Sequence, residues 1–161
     1  MRALSDLPAL TPLRREALTA AGLPPEWGFG LRDQVRFHEL DALGHVNNAV
    51  FLSWFETFRL PYLEDYGVSD YSENAPRLVL ATVSASFERE MLMGEIYVVT
   101  GRTAWYRSSS FGMEFAVFAP DRRATGSATV VLRTRDGTGK WPLTQAQKAT
   151  FRDRDGAEDR A

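Results

Sequence analysis

The sequence predicts an α+β domain in which an antiparallel sheet wraps around one long, buried helix. The central observation is the run from Val50 to Tyr66, which is apolar or aromatic around most of a helical circumference. A helix of that kind is enclosed by other elements and does not lie at the surface. One strand-like run precedes it and four follow it, separated by short turns. Strands joined by short turns pair antiparallel, so we expect a five-stranded sheet with the helix on one face.

The composition predicts a single globular domain and excludes several kinds of function. The chain has 161 residues, of which 44% are hydrophobic and 25% charged, and it carries a formal net charge of -2. There is no basic field to attract nucleic acid, and the absence of cysteine excludes disulfides and thiolate chemistry. No apolar run has the length of a membrane span, and the N-terminus lacks the pattern of a signal peptide. We therefore expect a cytoplasmic protein that binds neither nucleic acid nor membrane.

Residues 1–30 are expected to form an N-terminal extension that takes no part in chemistry. Thr11 as cap, Pro12 at the first helical position and Gly22 after the last turn predict a short helix there. Its modest apolar face is suited to packing on the body of the domain or on a second subunit.

The central helix has clear end signals. Asn47 and Asn48 are favourable N-cap residues, and Gly67 is a suitable stop. Pro61 predicts a kink or the start of a new helical segment.

The predicted domain spans residues 31–135. Its first strand is expected over Leu31–Phe37, and alternation of apolar and polar residues favours a half-buried strand after the helix. Residues 136–161 are expected to be a polar tail, solvated and frayed from Phe151 onwards. The four strands expected after the helix are Arg77–Glu90, Glu95–Tyr106, Ser109–Ala119 and Arg123–Thr134.

The loop between the first strand and the helix holds the best candidates for chemistry. Asp41 and His45 lie just before the helix N-terminus, where free backbone N–H groups favour negative charge and can stabilise an oxyanion. A carboxylate there can act as a general base or as a nucleophile. The same residues also suit a structural role, in which Asp41 and the asparagines cap the helix and Gly44 adopts a left-handed turn. Residue chemistry alone leaves both interpretations open.

The segment Asp41–Glu56, DALGHVNNAVFLSWFE, resembles the signature of the hotdog-fold thioesterases of the 4-hydroxybenzoyl-CoA thioesterase type. Its His-Val-Asn-Asn part is also similar to plant acyl-carrier-protein thioesterases and bacterial acyl-CoA thioester hydrolases. The resemblance covers about residues 31–134. It implies a hotdog fold that hydrolyses an acyl-CoA or acyl-carrier-protein thioester, without a metal or other cofactor. It also implies a homodimer or dimer of dimers, with subunits paired edge to edge and active sites at the interface.

Three residues of the loop have candidate roles. The resemblance makes Asp41 the general base or the nucleophile. His45 would polarise the thioester carbonyl or assist water, although a hydrogen-bonded structural histidine is the alternative. Asn47 matches the first asparagine of the signature and would orient the loop or Asp41.

Further candidates lie on the strands. Glu90 resembles a catalytic glutamate of the plant enzymes, but regular alternation would place it on the polar face, so only a bulge or a strand end would turn it towards the site. Its alternative is a solvated charge. Ser109 and Ser110 resemble the substrate-proximal serines of the family, or are hairpin residues. Candidate partners for the phosphates of coenzyme A are Arg102, Arg107, Arg133 and Arg135.

Three other classes of function can be weighed against the sequence. The Gly-x-Ser-x-Gly motif of serine hydrolases is absent, and the two histidines, His38 and His45, do not make a convincing metal site. Hotdog hydratases and dehydratases also use Asp and His, but space them one residue further apart. A non-catalytic hotdog that binds an acyl group or a carrier protein is the third alternative, and the presence of Asp41 and His45 argues against it.

Overall fold

The computed structural model describes residues 1–161 as one sheet and three helices. The elements are β1 (Leu13–Arg14), α1 (Arg15–Ala20), β2 (Phe29–Gln34), α2 (Asn48–Asp65), β3 (Arg77–Phe87), β4 (Ile96–Tyr106), β5 (Ser110–Phe118), β6 (Arg122–Arg133), α3 (Gln145–Asp155) and β7 (Glu158–Asp159). Two 3-10 turns, Leu4–Asp6 and Phe37–Glu39, complete the fold. The strands pair in the order β1-β2-β4-β5-β6-β3, and β7 pairs parallel to β4.

The predicted α+β class is confirmed, with one correction to the strand count. The five expected strands are β2 to β6, and the sheet has seven strands because β1 and β7 add two residues each at its margins. A strand of two residues carries no periodicity, so the pattern could not show it.

Helix α2 packs its aromatic stripe against the sheet. Phe55 and Phe58 are fully buried, and a Cβ on Gly126 or on Gly101 of the sheet would come within 2.4 Å of one of these rings. The helix is continuous through Pro61, so no new helical segment begins there. It ends as expected before Gly67, which has a φ of 72°.

The N-terminal segment differs in detail from the prediction. Its helix begins at Arg15, several residues after Thr11, because Leu13 and Arg14 pair with β2 as a strand. The predicted first strand lies earlier, over Phe29–Gln34, so that Phe37 belongs to a 3-10 turn. A second, smaller apolar cluster under this segment includes Leu13, Leu18 and Trp27.

The prediction of a frayed tail after Phe151 is wrong. Helix α3 begins with a capping box between Thr144 and Gln147 and ends at Gly156 in the left-handed conformation. Phe151 is fully buried in the main core. This single aromatic anchor holds an otherwise polar helix, so the composition of the segment concealed its packing.

Strand β3 is the exposed edge of the sheet. It pairs only with β6, and nearly all of its residues are exposed, although a half-buried strand was expected. Three of its apolar side chains, those of Val79, Val83 and Phe87, are each about 40% exposed.

The chain contains no helix whose length and hydropathy would suit a membrane crossing.

Candidate active site

A cleft of about 320 Å³ lies where the N-terminus of α2 meets the C-terminal end of β3. The loop before α2 supplies Asp41 and His45, and the segment after β3 supplies Glu90. Phe51 and Phe87 form an apolar wall, with their ring centroids 5.1 Å apart. The structure therefore brings together all three of the predicted catalytic residues.

Asp41 organises its loop through one carboxylate oxygen. Its Oδ1 accepts from the backbone N–H of Leu43 at 2.9 Å and of His45 at 3.4 Å. Its own N–H donates to the His45 carbonyl at 2.8 Å, and Gly44 has a φ of 78°. This is the turn-shaping role that the residue types also suggested, yet Oδ2 accepts no hydrogen bond from the protein. The side chain is exposed in the cleft, so Oδ2 remains available for a ligand.

His45 and Glu90 form a pair across the cleft. His45 Nε2 lies 3.1 Å from Glu90 Oε2, and the two side chains are 34% and 61% exposed. The contact exists because β3 ends at Phe87, which frees Glu90 from the strand alternation that would have turned it away. His45 itself is held by a backbone bridge to Leu92, next to the segment that carries Glu90.

Asn47 is the N-cap of α2. Its Oδ1 accepts from the Ala49 N–H at 2.9 Å, and its own N–H donates to the Glu39 carbonyl at 2.9 Å. Its place as cap is thus clear, whereas a role in substrate binding stays a prediction. The Asn48 N–H, at the first helical position, has no carbonyl or side-chain acceptor in the chain and lies at the cleft.

Glu39 supports this loop in a way that the sequence did not indicate. It is 7% exposed, and its carboxylate accepts from the Trp54 indole N–H and from the Arg36 N–H, at 2.9 and 2.8 Å. A buried carboxylate with two donors fixes the start of the loop relative to α2. The only signal in the sequence was an acidic residue two positions before Asp41, between His38 and Leu40.

Ser109 and Ser110 do not reach this cleft within one chain. Ser110 is in register with Val131 of β6, which in turn pairs with Val79 of β3. Val79 is eight residues from Phe87, or roughly 26 Å along an extended strand. The structure therefore places both serines at the opposite end of the sheet, and their role in substrate binding stays a prediction.

The charges around the cleft are paired with one another. Arg122 Nε lies 2.8 Å from Glu88 Oε1, Arg89 is paired with Asp121, and Arg123 bridges Asp121 and Glu95. Two of the arginines proposed for coenzyme A phosphates are engaged elsewhere. Arg102 pairs with Glu114, and Arg107 lies over the ring of Trp105. Nowhere does the chain gather three or more His, Asp or Glu side chains in an arrangement that would hold a metal ion.

Comparison with known proteins agrees with this architecture. The sequence matches the family model of the Thioesterase-like superfamily over residues 35–153. A thioesterase superfamily protein from Jannaschia sp. CCS1, known from a crystal structure, is 48% identical and superimposes with a TM-score of 0.91, covering 94% of this chain and 98% of that one. A thioesterase from Thermus thermophilus, solved with coenzyme A and Zn, is 34% identical with a TM-score of 0.68, covering 79% and 93%.

A more distant structure shares the fold alone. The 1,4-dihydroxy-2-naphthoyl-CoA thioesterase from Synechocystis is 18% identical with a TM-score of 0.67, covering 77% of this chain and 95% of that one. The wrapped helix and the cleft at its N-terminus thus define a hotdog-fold protein of the thioesterase type. The chain belongs to the Thioesterase-like superfamily. The particular similarity of the His-Val-Asn-Asn segment to carrier-protein thioesterases stays a prediction.

Proposed function

We propose that this protein hydrolyses the thioester of an acyl-CoA to the free acid and the thiol. Membership of the superfamily supports thioester hydrolysis in general, and the coenzyme A bound to the Thermus protein supports the CoA substrate. The observation that carries the proposal is the cleft itself. A carboxylate with one unbonded oxygen lines the same cleft as a His–Glu pair, beside the first turn of a buried helix.

Asp41 is the proposed catalytic carboxylate. As a general base, its Oδ2 takes a proton from a water molecule, the water oxygen attacks the thioester carbon, and the C–S bond breaks as the thiolate leaves and is protonated. As a nucleophile, Oδ2 attacks the same carbon to give a mixed anhydride, which water then cleaves. In both routes the hydrogen bonds to Oδ1 hold the carboxylate in place.

Two further groups complete the proposed mechanism. The Asn48 N–H has no acceptor and points from the positive end of the α2 dipole, so it is suited to stabilise the oxyanion of the tetrahedral intermediate. His45, oriented by Glu90, is suited to polarise the carbonyl or to move the proton to the departing sulfur. Asn47 keeps these groups in register by fixing the start of the helix.

Replacing Asp41 with Asn tests the proposal directly. The amide keeps an oxygen for the Leu43 and His45 N–H groups but loses the basic oxygen, so we expect thiol release from the preferred acyl-CoA to fall by roughly 10²- to 10⁴-fold. A panel of short, long and aromatic acyl-CoAs identifies that substrate. Asp136→Asn is the matched control, because Asp136 Oδ1 also accepts from the N–H two residues on, at 3.0 Å, yet lies outside the cleft.

Each outcome of this experiment has a distinct meaning. Equal turnover in Asp41→Asn and wild type would contradict the role of Asp41. Release from an acyl-carrier-protein substrate alone would replace coenzyme A with the carrier protein as the thiol carrier. No release from either kind of thioester would overturn hydrolysis and favour a hydratase or a binding role.

We also propose that two chains pair through β3 into a homodimer, with a dimer of dimers as the larger form. The free edge of β3 carries exposed Val79, Val83 and Phe87 and no charged residue after Arg77, which is the composition of an edge that is covered by another chain. Antiparallel pairing of two such edges would bring the Ser110 row of one chain towards the cleft of its partner. In that arrangement Ser109 and Ser110 would lie close enough to contact a substrate bound in the cleft of the partner.

Sedimentation velocity at micromolar protein tests this pairing. Wild type should sediment as a dimer or larger, and Val83→Lys should sediment as a monomer because it places a charge on the pairing surface. Phe37→Lys serves as control, since Phe37 is 79% exposed and belongs to a 3-10 turn and not to β3. A wild-type chain that sediments only as a monomer would contradict the proposal.

A further inference from the structure

A second pocket, of about 360 Å³, lies at the opposite end of β3. Its walls are the C-terminal half of α2, the loop that follows α2, and the first residues of β3. Arg59 projects from α2 about 16 Å along the helix from Asn48, at 1.5 Å per residue. Arg77 opens β3, and Arg135 follows β6. All three arginines line the pocket, which we call the arginine pocket.

None of these three arginines has an acidic partner. No carboxylate oxygen lies within 4.0 Å of the guanidinium of Arg59, Arg77 or Arg135, whereas most of the other arginines form such pairs, including all three at the cleft. The only acidic residue in the pocket wall is Glu56, one turn before Arg59 on α2, and it makes no ion pair with Arg59. The pocket thus holds three positive charges against one negative charge, and none of the three is in an ion pair.

Arg59 shows this imbalance most clearly. Its Nη1 is buried and has no hydrogen-bond partner. Burial lowers the pKa of Arg59 below its usual range, and the nearby charge of Glu56 offsets this only in part. A buried guanidinium nitrogen without an acceptor is unfavourable, because each of its N–H groups has lost water and gained nothing. An oxygen of a bound anion is the group that would satisfy it.

The loop after α2 holds the wall of the pocket in a fixed shape. Tyr71 has a φ of 57°, which is uncommon for an aromatic residue. Its hydroxyl donates to the Leu60 carbonyl at 3.1 Å, and its N–H donates to the Ser69 hydroxyl at 3.0 Å. Burial raises the pKa of Tyr71 to about 12, so the hydroxyl stays neutral. It therefore adds no negative charge to the pocket at neutral pH.

We infer that the arginine pocket is an anion-binding site, in which Arg59 holds a carboxylate or phosphate group with Arg77 and Arg135 at the rim. Guanidinium groups match the paired oxygens of both anions, and such charge-assisted hydrogen bonds are the strong ones. Arg59 supplies a desolvated donor, while Arg77 and Arg135 are exposed and free to turn towards a ligand. Within one chain the site lies at the opposite end of β3 from the cleft, so its occupancy can be measured without turnover.

Isothermal titration calorimetry on the full chain tests the inference. Glutarate and inorganic phosphate, each titrated at constant ionic strength, represent the two anion types. We expect at least one to bind saturably at millimolar concentration, and Arg59→Gln to weaken it at least about tenfold, which corresponds to the loss of one charged hydrogen bond. Arg152→Gln, which removes a charge from exposed α3, should leave binding unchanged.

The double variant Arg77→Gln/Arg135→Gln keeps the inference testable if Arg59→Gln fails to fold. Both positions are exposed and make no side-chain hydrogen bond, so the fold should survive, and binding should weaken several-fold. Binding of phosphate alone would identify a phosphate-bearing ligand, and binding of glutarate alone a carboxylate. No saturable binding of either probe, or equal binding by wild type and both pocket variants, would overturn the inference. Because no turnover is measured, this result is independent of the test on Asp41.

Discussion

The two ends of strand β3 carry opposite electrostatic arrangements. At its C-terminal end, His45 faces Glu90 at 3.1 Å, and the arginines Arg89 and Arg122 are paired with Asp121 and Glu88. At its N-terminal end, the arginine pocket holds three guanidinium groups and no ion pair. Both ends sit against the same helix and the same edge strand. The difference therefore lies in the partners of the charges and not in the scaffold.

The charged groups at the cleft are held in place by partners, whereas the guanidinium groups of the arginine pocket have none. A charge that is already paired has a fixed geometry, which a catalytic step requires. An unpaired, partly desolvated charge keeps its binding capacity for a ligand. At the cleft, His45 and Glu90 have the first property while Asp41 Oδ2 accepts no hydrogen bond, and the arginine pocket has the second. Variants of His45 and Glu90 test whether the pairing of charges at the cleft contributes to catalysis.

The largest effect is expected from His45→Gln. Loss of the imidazole removes both the group that faces the thioester and the partner of Glu90, so kcat should fall by roughly 10²- to 10⁴-fold. The measurement is thiol release from the substrate identified with the acyl-CoA panel. His38→Gln is the matched control, because His38 is the other histidine and is exposed on a 3-10 turn. Similar losses in both variants would mean that the cleft is not where the chemistry occurs.

A buried carboxylate far from the cleft shows the contrasting, purely structural case. Asp155 Oδ1 accepts from the Tyr66 hydroxyl at 2.6 Å, and Oδ2 accepts from the Thr103 N–H at 2.8 Å and from the Tyr62 hydroxyl. Asp155→Ala would leave the Tyr66 hydroxyl without its acceptor, and Tyr62 and Thr103 only with each other, so we expect a loss of about 2 kcal/mol in the free energy of unfolding. Urea denaturation measures it. A loss below about 1 kcal/mol would contradict the structural role.

The same residue predicts a pH dependence of stability. Burial raises the pKa of Asp155 above its usual range, although its hydrogen bonds oppose the shift. The folded chain then binds this proton more tightly than the unfolded chain. This contribution is complete below the unfolded pKa of about 4 and is lost as the pH rises through the folded value. Compared with Asp155→Asn, which cannot titrate, wild type should lose stability as the pH is raised from about 4.

A smaller effect is expected from Glu90→Gln. The amide can still contact His45 but cannot stabilise its charged form, so kcat should fall about tenfold, as for loss of one charged hydrogen bond. Glu88→Gln, two residues earlier and paired with Arg122, should change kcat less than about twofold. The split between kcat and KM adds a readout that a general structural role would not give, because the loss in Glu90→Gln should fall on kcat while KM changes less than about twofold. A kcat in Glu90→Gln within about twofold of wild type would contradict the orienting role.

The sequence predicted the centre of this protein much better than its margins. Helix α2 and its capping asparagine could be read from local signals, since an apolar run of this length and its end residues need no knowledge of the rest of the chain. The loop with Asp41 and His45 lies beside that helix, so its placement followed. The sequence predicted that Glu90 would turn towards the site only at a bulge or at the end of a strand. In the structure the strand ends at Phe87, before Glu90.

What the sequence could not show depends on register and on single anchors. The distance of Ser110 from the cleft follows from the pairing of β5 with β6 and of β6 with β3, and no local pattern encodes it. Helix α3 was missed because one buried aromatic, Phe151, holds a polar segment. The arginine pocket was missed because Arg59 and Arg77 are separated in sequence and meet only through the fold.

The smallest effect is expected from the ion pair at the rim of the cleft. Arg122 and Glu88 are 54% and 37% exposed, and pairs of such exposure contribute less than about 1 kcal/mol to the free energy of unfolding. A double-mutant cycle with Arg122→Gln and Glu88→Gln should return a coupling energy within that limit, and lower still at high salt because the pair is open to screening. A larger coupling that salt does not reduce would mean that the paired charges at this end of β3 stabilise the fold. In that case the paired charges at the C-terminal end of β3 would stabilise the fold, whereas the arginine pocket at the other end would bind a ligand. Only the pair of His45 and Glu90 would then connect charge pairing with catalysis.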